Sequence, residues 1–220
     1  MSEYQRYEFM TSDRPLSREQ LDEVNRLSSH IEATSTHTLI EYQWGDFKHD
    51  PIDVLYRYFD GFLYWANWGA PQLALRFPHG ALPTDLLESY DLDEFVTLTQ
   101  HPDYDTLSIQ SGEMEAPDEW TEYELGALMP IREELMAGDL RAIYVVWLLA
   151  QRMLGSYDEA EEYDIDAPPT PAGLATLTSA QQALAELFQT PQELLVAAAR
   201  HSAPATPAPD EDFAVWVESL

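Results

Sequence analysis

Apolar and polar residues alternate in segments near the N-terminus. In residues 4–10, Tyr7 and Phe9 alternate with charged residues, which is the period-two pattern of a strand with one buried face. Residues 34–44 keep their β-branched and aromatic side chains on one parity and predict a second strand. A third, short strand is expected at 72–77, after a Gly-Ala-Pro break.

Two helices are predicted between these strands. The first follows Ser17, because Ser17 and Gln20 form a capping-box sequence in which each side chain bonds the other residue's backbone N–H. The second follows Asp50, since aspartate is a good N-cap and Pro51 suits the first helical position. Apolar residues then recur at helical spacing, so this helix is expected to span 51–67.

The second half of the chain predicts a hairpin followed by helices. Pro130 favours a helix start and Gly138 a helix end. Asp139 favours the cap of the next helix, which is apolar on nearly every side and is therefore expected to be central. The predicted strands are 95–99 and 106–110, and the predicted helices are 130–138, 139–155, 178–188 and 191–200.

These elements predict an α+β protein with an N-terminal β-α-β-α-β unit, a hairpin, a helical C-terminal half and a Pro-rich acidic tail. Changes in composition along the chain predict its division into parts. We expect an α+β domain over 1–155, an acidic, Pro-rich linker or loop over 156–173, a helical segment over 174–201 and a flexible tail over 202–220.

Composition excludes several classes of protein. The 220 residues include no cysteine, which excludes disulfides, cysteine zinc sites, iron–sulfur clusters and a thiol nucleophile. Six Trp, 12 Tyr and 8 Phe favour a folded core over disorder. The N-terminus lacks a signal-peptide pattern and no apolar run reaches ~18 residues, so we expect a soluble, cytoplasmic protein.

Charge changes the range of plausible partners. The chain has 40 acidic residues against 11 Lys and Arg, and its formal net charge is −29. Residues 77–131 contain 13 acidic residues and no lysine or arginine, and residues 155–220 contain 12 acidic residues and the single base Arg200. Such a charge repels nucleic-acid phosphate and anionic membranes at long range. We therefore expect neither as a direct partner.

No motif in the sequence assigns a catalytic mechanism. The phosphate-binding loops G-x-G-x-x-G and G-x-x-x-x-G-K-[ST] are absent, as is G-x-S-x-G. His101, Asp103 and Asp105 form the only compact group of nitrogen and oxygen ligands, but acidic turns usually cap their own backbone. We predict no catalytic residue, metal or cofactor and favour a protein that is not an enzyme, while a Ser-His-Asp arrangement formed only in space stays open.

The loop at 44–50 is the strongest candidate for a small-ligand site. It places an aromatic residue, an acid, the only lysine and a histidine before a helix N-terminus, where anions are favoured. We favour the simpler structural interpretation, because Asp50 caps the helix and Gly45 permits the turn. The ligand site would use Trp44, Asp46, Lys48, His49 and, from the end of the predicted helix, Trp68.

Two features of the C-terminal part predict a partner-binding surface. An acidic run suits the docking of a basic protein, although such runs are more often solvated surface that keeps a protein soluble. A short apolar cluster close to Leu220 also needs a contact, on its own domain or on a partner. The candidate residues are Asp158, Glu159, Glu161, Glu162, Asp164, Asp166, Phe213 and Trp216.

Three stretches carry a resemblance to a known family: YQWGDFK at 42–48, RYFDGFLYWANWG at 57–69 and GDLRAIY at 138–144. In these the chain resembles an uncharacterised bacterial family of small acidic cytoplasmic proteins with no assigned activity. The resemblance implies genes beside SWIM-type zinc-finger proteins, and hence an acidic accessory subunit of a basic, nucleic-acid-directed partner. It also implies a C-terminal segment that continues beyond Leu220.

The sequence therefore favours a non-catalytic, cytoplasmic accessory protein that binds a basic protein partner, including one associated with nucleic acid. One alternative is an enzyme or small-ligand-binding protein with a site near 44–50. Another is a DNA mimic, which is a special case of the first function and requires acidic residues at regular spacing. The acidic residues here are interspersed with prolines and loops, so only geometry separates these alternatives.

Overall fold

The computed structural model describes residues 3–88, 90, 92, 95–112, 114, 122–154 and 168–205. Its strands are β1 (Gln5–Met10), β2 (Ile31–Ala33), β3 (His37–Tyr42), β4 (Gly61–Ala66), β5 (Gln72–Pro78), β6 (Val96–Gln100) and β7 (Tyr104–Gln110). They form one antiparallel sheet in the order β2-β3-β1-β4-β5-β7-β6. The predicted hairpin is confirmed as β6 and β7.

The helices are α1 (Arg18–Val24), α2 (Pro51–Tyr58), α3 (Thr84–Glu88), α4 (Leu125–Leu128), α5 (Pro130–Met136), α6 (Arg141–Leu154), α7 (Ser179–Leu187) and α8 (Gln192–His201). A short 3-10 helix, Leu174–Thr176, precedes α7. Strands therefore occupy the N-terminal half and helices dominate the C-terminal half. The predicted α+β class is confirmed.

The helix starts predicted from capping residues are confirmed by their hydrogen bonds. The Ser17 hydroxyl accepts from the Gln20 N–H at 3.2 Å, and the Gln20 side chain accepts from the Ser17 N–H at 3.0 Å. The Asp50 carboxylate accepts from the Ile52 N–H at 2.8 Å. Thr178 makes the same reciprocal bonds at the start of α7. Short-range polar chemistry therefore fixes where these helices begin.

The prediction of a helix over 51–67 is wrong beyond Tyr58. The helix ends there, and Gly61–Ala66 form β4, which pairs with β1 on one side and β5 on the other. Five of the six β4 residues are buried, because both faces of the sheet are covered. A strand buried on both faces is apolar at consecutive positions, and such a run fits helical spacing as well as strand spacing. The sequence pattern also misses β2.

The two faces of the sheet carry separate apolar clusters. On one face, Phe9 and Phe62 pack with Val24 of α1 and Leu55 of α2. On the other face, strand residues such as Leu63 pack with helices α4–α8, which we call the helical layer. Within this layer α6 is buried around most of its circumference, which confirms its predicted central position.

Residues 155–167 and 206–220 include most of the predicted linker and tail and lie outside the described residues. Residues 168–173 lead into the 3-10 helix. In the part of the chain that the structure describes, no helix is both long enough and apolar enough to cross a membrane.

Candidate functional site

The loop at 44–50 is tied to the sheet through Gln5. The Gln5 side-chain amide donates to the Gly45 carbonyl at 3.0 Å and to the Asp46 carboxylate at 2.8 Å. Its carbonyl oxygen accepts from the hydroxyls of Tyr7 at 2.8 Å and Tyr64 at 3.1 Å. Burial raises the pKa of Tyr7 to about 12, so this hydroxyl remains protonated and donates at neutral pH.

Four of the five residues predicted for a small-ligand site lie in this loop, and the fifth, Trp68, follows β4. Asp46 bonds Gln5, and the His49 ring lies 5.4 Å from the buried Phe47 ring. Trp44 is 71% exposed and Trp68 is 39% exposed. Lys48 is also on the surface. The three clefts described below are lined by other residues. The ligand site therefore stays a prediction.

His101 and Asp105, two residues of the compact group His101, Asp103 and Asp105, contact different neighbours outside the group. The fully buried Asp105 carboxylate lies 2.9 Å from His79 Nδ1 and accepts from the Gly80 N–H at 2.9 Å. The His101 ring lies against Tyr56, with ring centroids 4.3 Å apart. Asp105 therefore fixes the turn after β5. Among residues with a described position, no group of three or more His, Asp or Glu side chains has metal-binding geometry.

A buried ion pair lies where β4 begins. Arg76 of β5 donates to the Asp60 carboxylate at 2.7 Å, and both residues are buried. The same guanidinium donates to the Tyr56 carbonyl at 2.7 Å and lies 4.3 Å from the centre of the Tyr104 ring. The positive charge of Arg76 is therefore balanced by Asp60 inside the fold. An arginine within the apolar run 73–77 was the available sequence signal for this pair.

A second buried arginine, Arg132 of α5, extends this network across the sheet. It donates to the Arg76 carbonyl at 2.6 Å, to Asp13 at 2.7 Å and to Glu133 at 2.9 Å. The Asp60 carboxylate also accepts from the Asp13 N–H at 3.0 Å. Two of the chain's 11 Lys and Arg residues are therefore withdrawn from the surface.

A third arginine holds the 3-10 helix against α6. Arg141 pairs with Asp139 at 2.6 Å and donates to the carbonyls of Gly173 at 3.2 Å and Thr176 at 2.8 Å. Burial opposes ionisation of Asp139 and is the largest effect, but the hydrogen bonds from Arg141 outweigh it and hold the pKa below 3.8. The pair lines a cleft of about 440 Å³ beside Ala205.

The outer surface of the helical layer is mainly acidic. Among the side chains that the structure describes in 122–151, 153 and 168–205, the exposed ionisable residues are Glu122, Glu124, Glu133, Glu186, Glu193, Arg200 and His201. The two basic residues are adjacent, at the end of α8. The part of the chain that carries α1 and α2 exposes Arg14, Arg18, Arg26, Lys48 and Arg57. The same part exposes ten acidic residues: Glu3, Asp13, Glu19, Asp22, Glu23, Glu32, Glu41, Asp46, Asp50 and Asp53. Both parts are therefore net acidic, and basic side chains are interspersed with the acidic ones only around α1 and α2.

Two clefts on the helical layer share one acidic side chain. The larger, about 530 Å³, lies between α7, α8 and the 3-10 helix and is called the α7–α8 groove. Its apolar lining is Leu174, Ala175, Leu177, Ala185, Leu195, Val196 and Ala199, and its polar lining is Gln182, Glu186, Gln189, Thr190 and Gln192. The smaller, about 240 Å³, contains Glu122 and Glu124 and is called the glutamate cleft. Glu186 lines both, so the α7–α8 groove, with its mixed apolar and polar lining, adjoins an acidic cleft.

The partner-binding residues predicted from the sequence stay a prediction. The acidic residues at 158–166, together with Phe213 and Trp216, lie outside the described residues. The sequence does not indicate Glu186 and Val196 as surface-groove residues, because each belongs to a short helix whose exposed side is known only after packing. The available signal was the apolar run 194–199, which is more apolar than a short surface helix requires.

No family model, no curated protein and no solved structure matches this chain. The resemblance to a family of small acidic proteins therefore stays an expectation.

Proposed function

We propose that this protein is a cytoplasmic, non-catalytic interaction protein that uses its acidic surface to bind a basic protein partner. One observation carries the proposal: among its described side chains, the helical layer exposes five glutamates, with Arg200 and His201 as the only exposed basic residues. Arg76 is buried and pairs with the buried Asp60, so its charge does not reach the surface. Arg132 is buried too and pairs with the exposed carboxylates of Asp13 and Glu133, so it offsets those two acids but not Glu122, Glu124, Glu186 or Glu193.

The arrangement favours steering of a positively charged protein. Surface charges act over about 8–10 Å at moderate ionic strength, and summed fields of one sign raise association rates. Glu122, Glu124 and Glu186 all line the glutamate cleft, and Glu186 also lines the α7–α8 groove. The same charge repels nucleic acid, so a nucleic-acid-associated partner would present its basic protein surface to this chain.

Affinity capture tests the proposal with the full-length protein as bait. We expect a basic protein to be retained from native lysate at low ionic strength and released at about 1 M NaCl, where charges are screened beyond ~3 Å. Recovery of the bait alone, or a partner that stays bound at high salt, would contradict electrostatic docking. In the first case the search for a ligand moves to the loop at 44–50.

A matched pair of double variants localises the effect. Glu124→Lys with Glu186→Lys changes the helical layer, whereas Asp22→Lys with Glu32→Lys makes the same change in net charge on exposed residues of α1 and β2. We expect the first pair to weaken partner binding about tenfold or more and the second about twofold or less. Equal losses would show that only the overall charge matters.

A further inference from the structure

We propose that the α7–α8 groove is the docking site and that its occupant is a basic amphipathic helix of the partner. This inference rests on the proposed function and adds the site and the shape of the ligand. The apolar face of the bound helix enters the groove. Its lysines and arginines meet Glu186 and the adjoining glutamate cleft.

The packing of α8 is the first support. Of its ten residues only Ala198 is buried, while Leu194, Leu195 and Ala199 are half-buried against the core. Val196 is 42% exposed and lines the groove. A surface helix normally buries an apolar stripe about 100° wide, and here much of that stripe faces the groove instead.

The groove has room for the side chains of a bound helix. Its volume of about 530 Å³ lies in the ~300–1,000 Å³ range of clefts that hold small molecules, which is also enough for several inserted side chains. Residues of α7 and α8 border it, and a third helix that packs against them would direct its side chains at i, i+3 or i+4, and i+7 into it. The floor is supplied by Leu174 and Ala185, so the inserted side chains contact apolar atoms.

Charge selects a basic occupant. The described lining of the groove contains Glu186 and no lysine or arginine. Glu122 and Glu124 lie in the adjoining cleft. The chain's own C-terminal segment carries Asp210, Glu211, Asp212 and Glu218, so it would bring like charge to these glutamates. A partner helix with lysine or arginine beside its apolar face would contact both the apolar lining of the groove and the adjoining glutamates.

Synthetic peptides test the chemistry of the occupant. The probe is a labelled peptide of about 18 leucines and lysines with leucines on one helical face, and binding to the full-length protein is followed by fluorescence anisotropy. We expect a dissociation constant of about 10 µM or below. A leucine–glutamate peptide and a scrambled leucine–lysine peptide are expected to bind at least about tenfold more weakly. Equal binding of the scrambled peptide would overturn the proposal.

Two neighbouring substitutions locate the site. Val196→Asp places a charge in the groove, and Ala197→Asp adds the same charge at the next exposed position of α8, outside the groove lining. We expect Val196→Asp to weaken peptide binding about tenfold and Ala197→Asp about twofold or less. Circular dichroism checks that both variants stay folded. Equal effects of the two substitutions would overturn the proposal.

Other occupants give distinct results. A peptide of residues 206–220 that binds a 1–205 chain more tightly than the leucine–lysine probe, and loses binding on Val196→Asp, would assign the groove to the chain's own tail. A dimer by light scattering that Val196→Asp dissociates would assign it to a second copy. A captured basic partner unaffected by Val196→Asp would overturn this inference and leave the proposed function standing. Absence of any basic partner would overturn the proposed function itself.

Discussion

Asp60 is a buried carboxylate whose ionisation depends on the arginine beside it. Burial is the largest effect on its pKa and opposes ionisation. The hydrogen bonds from Arg76 and from the N–H groups of Asp13 and Ser12 outweigh burial and hold the pKa below 3.8. A carboxylate with a lowered pKa stabilises the fold above its unfolded pKa. That contribution is lost as the pH falls through the pKa of the folded state.

Replacing this carboxylate tests the pair. Asp60→Asn leaves the Arg76 guanidinium buried without its counter-charge, so we expect a loss of about 3–5 kcal/mol in the free energy of unfolding at pH 7. The difference from wild type should shrink as the pH falls from 3.8 through the lower pKa of the folded state, where the wild-type carboxyl becomes neutral like the asparagine. Urea denaturation at several pH values measures it. Asp22→Asn, at an exposed position of α1, is the control and should change stability little.

The turn between β4 and β5 contains Gly69, which the backbone at Met114 approaches closely. Gly69 has a φ of +92°, and a Cβ added there would lie 2.4 Å from the Met114 carbonyl oxygen. Gly45, in the turn after β3, has a φ of +85° and nothing within 4 Å of an added Cβ. The two positions share the left-handed conformation and differ in the available space.

Alanine substitutions at these glycines separate backbone strain from crowding. Gly45→Ala should cost about 1 kcal/mol, because alanine is strained at positive φ. Gly69→Ala should cost about 1–3 kcal/mol more, since the Met114 backbone must also move. Thermal and urea unfolding measure both variants. Equal losses would mean that the segment around Met114 shifts without cost.

Local signals and non-local packing differ in how well the sequence reveals them. The helix starts after Ser17 and Asp50 are predicted because the capping bonds join residues two or three positions apart. The strand β4 is missed because its partners β1 and β5, not its own residues, decide its conformation. The groove around Val196 is unpredictable for the same reason, since it exists only after α7 and α8 pack onto α6.

For the whole molecule, the same negative charge repels itself and attracts a basic partner. Salt screens both effects, so added salt should raise the stability of the isolated chain and lower its affinity for the partner. The net charge of −29 destabilises the compact chain by repulsion, and salt screens that repulsion. We expect the Tm of the isolated protein to rise by about 2–4 °C from about 10 mM to 150 mM NaCl, corresponding to roughly 1 kcal/mol, while partner affinity falls. Differential scanning fluorimetry measures the first effect. A Tm that falls with salt would mean that surface ion pairs outweigh repulsion.

The interior position of β1 in the sheet also has a consequence for synthesis of the chain. β1 is made before both of its partners, because it pairs with β3 on one edge and with β4 on the other. The second of these partners is complete only when Ala66 has left the ribosome. Until then a strand carrying Phe9 has at least one unpaired edge, which is the condition under which nascent chains associate with one another.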